Sequence, residues 1–522
     1  MPVQLYAPGV YVEEVPSSVR TVVGVSTSVT AFLGTARRGP TNVATAINSQ
    51  GEFDRTFGGL FATSEMSYAV QHFFQNGGSR AVIVRVHNGA LRSGVWLNFD
   101  GAPVRFVAQN EGLWGDALRL TFTLSGGTYT AGETFDLTIS AATADGRVEP
   151  LETYFGVTLD ATSAQYLGAV LEQSSAQLRI DANPGVAPGG IAAVSTAVVP
   201  LTGGSDGSPP DIDRYDGTQA GTGHPGFTAL DAVETFNLLC APFPLTATVI
   251  SDADRVAFWA LALPYCARRR AFAVIDPPVG WTAFSDVDSD LNNGAGLMSG
   301  LRSAFGKENG GLYFPRVVGT DALAENRLRT FQPCGMVAGV MARTDAARGV
   351  WKAPAGVEAT LGGSLDLDVQ LTDVQQGRLN DEGINALRAF PGYGRVVWGS
   401  RTLDGQNRAA SQWKYVPVRR FASFLEESLW RGTRWSVFEP NDAPLWAQLR
   451  LNIGAFMQGL FRQGAFAGTS VKDAYFVLCD ATTTTQADID LGVVNVVVGY
   501  APLRPAEFVI LRIQQIASSG GV

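Results

Sequence analysis

The chain has 522 residues, 46% hydrophobic and 17% charged, with 59 Gly and 26 Pro. That length allows roughly three or four domains with sizeable cores, and low charge with many turn formers fits a β-rich or α/β protein. The net charge of -9, from 39 Lys and Arg against 48 Asp and Glu, comes without any basic block, which excludes clustered contacts to nucleic-acid phosphates.

The opening MPVQLYAPGV has neither a basic start nor an apolar core, so no signal peptide is expected. LYAPGVYVEEVPSSVR then reads as one short strand, with Val10 and Val12 on one side and Tyr11 and Glu13 on the other. Pro16 ends it, and no hairpin turn links it to TVVGV beyond. A lone strand is unstable in water, so its partner must come from elsewhere.

From 21 to 86 the pattern is α/β. VTAFLGTA predicts a buried strand, SEMSYAVQHFFQNGG a helix with Met66, Val70 and Phe73 on one face, and RAVIVRV another buried strand. Between about 88 and 202 the texture changes to short strands (VRFVAQ, LRLTFTL, FDLTISA) with one capped helix, DATSAQYLGAVLEQ. The Gly/Pro/Ser-rich NPGVAPGG and TGGSDGSPPD close this stretch, which reads as an inserted β-rich module. The α/β alternation resumes with FNLLCAPF, VAFWALALPYCARR, RAFAVIDPP and GLYFPRVVG, predicting a mainly parallel sheet covered by helices. A last region from about 384 holds an amphipathic helix, 444–466, with Leu445, Leu449, Ile453, Phe456 and Leu460 on one face and Arg450 and Arg462 off it. RPAEFVILRIQQIA ends the chain as a second unpaired strand, in which Val509, Leu511 and Ile513 alternate with Phe508, Ile510 and Arg512. No run reaches about 18 apolar residues, so no transmembrane helix is expected.

A search for chemistry finds little. The histidines are His72, His87 and His224, none in HExxH and none beside a GxSxG motif; they read as surface or turn residues. SGLRSAFGKEN fails as a phosphate loop because Gly300 and Gly306 are too far apart and Glu308 stands where Ser or Thr should be; a helix C-cap at Gly306 is expected. DIDRYDG and SDVDSDLNN fail as calcium loops at Tyr215 and Leu291 and read as polar turns. Cys240, Cys266, Cys334 and Cys479 form no CxxC pair and are expected reduced and buried. No catalytic residue, metal ligand or cofactor is assigned. DAARGVWKAPAG sets Asp345, Arg348 and Lys352 around Trp351 and fixes the chain with Pro354. This loop reads as a structural latch with an internal ion pair and a buried indole, or else as a substrate site.

At this loop the sequence resembles the contractile tail sheath family, the sheaths of phage tails, tailocins and extracellular contractile injection systems. RTDAARGVWKAPAG, GINALRAFPGYGRVVWGSRTL, WKYVPVRRFASFLEESLW and FEPNDAPLW match it in order. So do PGVYVEEVPSS, TSVTAFLGTARRGPTN and FGGL…AVQHFFQNGGSRAVIVRV, and more weakly GLWGDALRL. The resemblance covers nearly the whole chain apart from roughly 120–220. It implies an N-terminal linker arm (1–20), a central subtilisin-like α/β domain without a triad (21–90 and 211–383), and an inserted β-rich outer domain (91–210). An α+β C-terminal inner sheath domain (384–503) and a C-terminal linker arm (504–522) complete the expected α/β multidomain chain.

By the same resemblance the arms leave their own subunit and add strands to neighbouring C-terminal domains. Strand augmentation between chains fits two unpaired terminal strands on physical grounds as well. The sheath would assemble as a helical tube around an inner tube protein, between baseplate and tail terminator or cap proteins, and contract from a metastable extended form. The 444–466 helix, with Arg450 and Arg462, is the candidate tube-facing element. Such a protein is made in the cytoplasm and built into a tail-like particle, with no nucleic-acid or membrane-inserting role. Two alternatives remain on the residues alone, a hydrolase on the subtilisin-like fold and a shell or surface-layer subunit.

Overall fold

The computed structural model describes residues 21–127, 129–143, 145–217, 226–246, 248–510 and 512. Val10, Tyr11, Val12, Glu13, His224, Leu511 and Ile513 lie outside them. The chain divides into two compact units. The described residues of one are 21–26, 348–352 and 417–512; the other holds the rest, 27–347 and 353–416.

The larger unit is built on one eight-stranded sheet. Its strands are Thr30–Gly34 (β1), Thr45–Ile47 (β2), Ala81–Arg85 (β3), Leu238–Cys240 (β4), Phe272–Ile275 (β5), Gly310–Phe314 (β6), Ile384–Phe390 (β7) and Gly394–Val397 (β8), in the order β8-β7-β6-β5-β4-β1-β3-β2. The six inner strands are parallel, and β2 and β8 close the edges antiparallel. Successive side chains alternate between two apolar layers, as a pleated strand requires. Phe32, Ile83, Phe272 and Tyr313 enter one layer; Leu33, Val84, Ile275 and Phe314 enter the other. Helices Glu65–Gln75 and Cys334–Arg348 cover the first face, and Asp252–Arg268 covers the second. Both faces are dry, which explains why β1, β3 and β6 read as continuous apolar runs.

Several expectations need correction. GLYFPRVVG is two strands: Pro315, with no N–H for the ladder, separates β6 from Val317–Asp321, which pairs instead with Arg327–Phe331 and Asp366–Leu367. The boundary drawn at 384 falls too early, because β7 and β8 belong to the central sheet and its unit runs to residue 416. The boundary at 21 also shifts, since 21–26 group with the C-terminal unit. DATSAQYLGAVLEQ is helical only over Leu167–Ser174; Asp160 folds its carboxylate onto Thr162 and holds turns before it. DIDRYDG and SDVDSDLNN are helices, Ile212–Asp216 and Phe284–Asn292, rather than polar turns. Gly306 is left-handed (φ 79°) but opens a 3-10 turn after the preceding helix has ended at Ser303.

The 91–210 stretch has its own apolar cluster, from Leu97 to Leu201. It is formed by one three-stranded and one four-stranded antiparallel sheet. Its ends meet as a ribbon, Asn88 opposite Ser208, Leu91 opposite Ser205 and Gly94 opposite Thr202. The buried Arg85 fastens it from β3: Nε donates to the Ala36 carbonyl (3.1 Å), Nη1 to Gly39 (2.8 Å) and Nη2 to Glu111 (2.8 Å). Burial lowers its pKa to about 10.

Candidate assembly interface

The smaller unit packs two helices, Val416–Gly432 and Ala443–Arg462, with a two-stranded hairpin, Tyr475–Leu478 paired antiparallel to Val497–Tyr500. Asp442 starts the second helix by accepting from Leu445 N at 3.1 Å, with Pro444 in the first turn where its missing N–H costs nothing. Leu445, Leu449, Ile453 and Leu460 are buried as the spacing predicts. Met457 joins them, while Phe456 is only half-buried.

The hairpin has one covered and one open face. Tyr475, Val477, Val498 and Tyr500 pack on the unit's core, whereas Phe476, Leu478 and Val497 are exposed. Tyr475 Oη donates to Gln458 Oε1 of the helix (2.9 Å), and burial pushes the Tyr500 hydroxyl up to about 12. Two strands alone make a marginal sheet. Beyond the hairpin, after the bridge from Phe466 to Pro502, the chain runs on without a further β-bridge among the described residues, and Phe508, Val509 and Ile510 are 74–79% exposed. Three consecutive large apolar side chains thus stand in water.

Arg450 and Arg462 are both exposed, as expected off the apolar face. Arg450 Nη1 donates to the Cys479 carbonyl (2.8 Å), tying the helix to the end of the hairpin; Arg462 sits in the last turn. The predicted latch is reshaped. Asp345 and Arg348 are the end of the Cys334–Arg348 helix rather than loop. Gly349 (φ 87°) stops the helix, and a Cβ there would lie 2.4 Å from the Trp351 ring. Trp351 is half-buried, not fully buried, edge-on to Phe421 at 5.7 Å; Pro354 is buried. Asp345, Arg348 and Lys352 are all engaged in interactions.

Of the histidines, His72 and His87 lie among the described residues. His72 is buried, contrary to expectation, with its ring edge-on to Phe331 at 4.9 Å, and burial alone lowers its pKa to about 4. His87 accepts a turn hydrogen bond from Ala90 N. Lys307 pairs with Asp404 at 3.1 Å. All four cysteines are buried thiols. Among the described residues no group of three His, Cys, Asp or Glu side chains could hold a metal ion. No described helix is long and apolar enough to cross a membrane. The sequence signal for the hairpin's second strand is the apolar run LGVVNVVVGYAPL, which is too short for a membrane span and is broken by Asn495 and Pro502.

Among the described residues the hairpin's outer face and the Phe508–Ile510 stretch thus remain apolar and uncovered. The chain belongs to the phage tail sheath family: the tail sheath central domain matches residues 226–403 and the tail sheath C-terminal domain matches 408–516. The tail sheath protein of Enterobacteria phage T4 is 28% identical over 155 residues, 30% of this chain and 22% of that protein. That of Vibrio phage KVP40 is 27% identical over 188 residues, 36% of this chain and 27% of that protein. The chain therefore aligns with only about a quarter of the length of these curated relatives. The anti-feeding prophage helical sheath in its contracted state is 25% identical with a TM-score of 0.56, covering 98% of this chain and 99% of that one. These comparisons give no support to a hydrolase.

Proposed function

We propose that this chain is the structural subunit of a contractile sheath. It polymerises helically around an inner tube and contracts from a metastable extended state to drive that tube through a target envelope. The observation that carries this reading is the exposed Phe508–Ile510 segment beside a hairpin with an open apolar face. Strands from the two arms, with Val10, Tyr11, Val12 and Glu13 on one and Phe508 to Ile513 on the other, would extend that hairpin in neighbouring copies. A head-to-tail contact of this kind does not close on itself and yields a helix. The central unit is taken as the subtilisin-like domain of the family without its chemistry, and 91–210 as an outer module. Around Arg450 the helix exposes Ala447, Gln448 and Leu451, and this stretch is turned toward the inner tube. No catalytic role is assigned, and the further partners are baseplate and cap proteins of a tail-like particle.

The test is to express the chain alone and with an inner tube protein, and to image both by negative-stain electron microscopy. Hollow striated tubes that disappear on removal of residues 1–20 are expected. Soluble monomers in both preparations would overturn the reading.

A further inference from the structure

One part of the C-terminal unit is left over by strand exchange. In the FEPNDAPLW stretch, Phe438 is fully exposed (103%) and its backbone is left-handed, φ 70°, a conformation that non-glycine residues rarely adopt. Val437 beside it is exposed as well. The loop is otherwise well held: Trp446 Nε1 donates to Asn441 Oδ1 (2.9 Å), and Asn441 Nδ2 donates to the Val493 carbonyl (3.0 Å). A fixed loop thus presents an aromatic knob whose ring, fully exposed, gains no burial among the described residues to offset that conformational cost. Such outliers persist where they serve a contact.

The same unit carries a hole. A groove of about 510 Å³ lies between residues 21–25 and the last third of the Ala443–Arg462 helix, lined by Val22, Val23, Phe424, Phe456, Gly459 and Leu460. It begins at Ala455, about 20 Å along the helix from Asp442, at 1.5 Å per residue. Glu439 follows the knob, and Arg462 immediately precedes Gln463 of the groove lining. Both are exposed, and neither has an ion-pair partner among the described residues. Knob and groove are both largely apolar, each has one exposed charge of opposite sign beside it, and they lie at opposite ends of one helix. Because knob and groove are different surfaces, a contact made one way round leaves a free knob on one copy and a free groove on the other and can propagate from copy to copy.

We propose that Val437 and Phe438 of one copy seat in the groove of a second copy, with Glu439 paired to that copy's Arg462. The contact rests on the sheath reading but is separate from the strand exchange, and it gives Arg462 a sheath partner in place of the tube. Because the groove is walled by residues 21–25, where the N-terminal arm enters the fold, seating the knob would couple arm position to packing between copies.

The test uses the full chain under conditions where the wild type forms tubes. Phe438→Gly suits the left-handed backbone and should leave the melting temperature of the unassembled subunit unchanged or raised, yet shorten tubes at least tenfold. Gly459→Phe places a ring in open space, since a Cβ at Gly459 meets nothing within 4 Å, and should block assembly in the same way. Glu439→Arg and Arg462→Glu should each impair assembly, and the double swap should restore it. Phe438→Cys with Gln463→Cys should give a ladder of linked copies with a short bis-maleimide, against the silent background of four buried native thiols. Full-length tubes from Phe438→Gly without a ladder would overturn the contact while leaving the sheath reading intact. So would a Gln463→Cys link to Val10→Cys in place of Phe438→Cys, which would make the N-terminal arm the occupant. Failure of the double swap to restore tubes on the inner tube would return Arg462 to that surface. If the wild type forms no tubes with or without inner tube, both readings fall together.

Discussion

Burial sets the charge state of His72. Its side chain faces Phe331 in the apolar layer, Nδ1 has no hydrogen-bond partner, and its pKa falls from 6.5 to about 4. A base depressed in the folded state takes up its proton later than in the unfolded chain. Stability from this group is therefore complete above pH 6.5 and is lost as the pH falls toward 4, by about 3 kcal/mol in total. His72→Phe keeps the ring and removes the proton site, so melting curves of the unassembled subunit should show a smaller loss between pH 7 and pH 4.5; an unchanged slope would contradict the assignment. The buried carboxylates Glu65 and Asp321 both depend on one cation. Arg329 reaches Glu65 at 2.6 Å and Asp321 at 3.2 Å while lying 4.4 Å over the Tyr68 ring. Burial raises the Glu65 pKa, and Arg329 offsets part of that rise. Arg329→Met strands both acids and should cost roughly 3 kcal/mol in denaturant unfolding at pH 7, with part of the loss recovered at acid pH.

At the scale of elements, what the sequence made legible was whatever pairs or packs locally. Continuous apolar runs announced β1, β3 and β6 because both faces of that sheet are covered, and the 3.6-residue rhythm announced the Ala443–Arg462 helix. What stayed illegible depended on distant partners. Nothing near Ile384 signals that it will lie beside Leu312, so β7 and β8 were given to the wrong region. The positive φ of Phe438 and the walling of the groove by residues 21–25 likewise arise only in three dimensions. The C-terminal arm strand was legible as a pattern, and the exposure of Phe508–Ile510, which pair with no strand among the described residues, makes a clean prediction. Val509→Asp should leave subunit melting within about 0.5 kcal/mol of wild type, as for other exposed substitutions. In an augmented sheet the same change buries a charge, so tube formation should be abolished. Tubes of normal length from this variant would remove the C-terminal arm from the assembly.

In the proposed sheath the residues that link copies lie in the C-terminal unit, and the inserted module is the sharpest test of that assignment. Its apolar cluster is its own, and it joins the central unit through a ribbon whose last pair is Gly94 and Thr202. These two exchange both backbone hydrogen bonds, Gly94 N to Thr202 O at 2.9 Å and Thr202 N to Gly94 O at 3.2 Å. A two-residue Asn-Gly turn could therefore replace 95–201 without moving either end, since tight hairpins accept such turns. The excision removes Glu111, one of three carbonyl partners of the buried Arg85, and the Gln177 partner of Arg38. Leaving a buried donor unmet costs on the order of 1–3 kcal/mol, so the subunit should melt earlier but still cooperatively. None of the arm, hairpin or knob residues lies in the excised stretch, so tubes should still form, with a smaller outer diameter and an unchanged inner bore. A folded excision variant that makes no tubes would place copy-to-copy contacts in the module. Contraction would then have to be argued from its sheets rather than from the C-terminal unit.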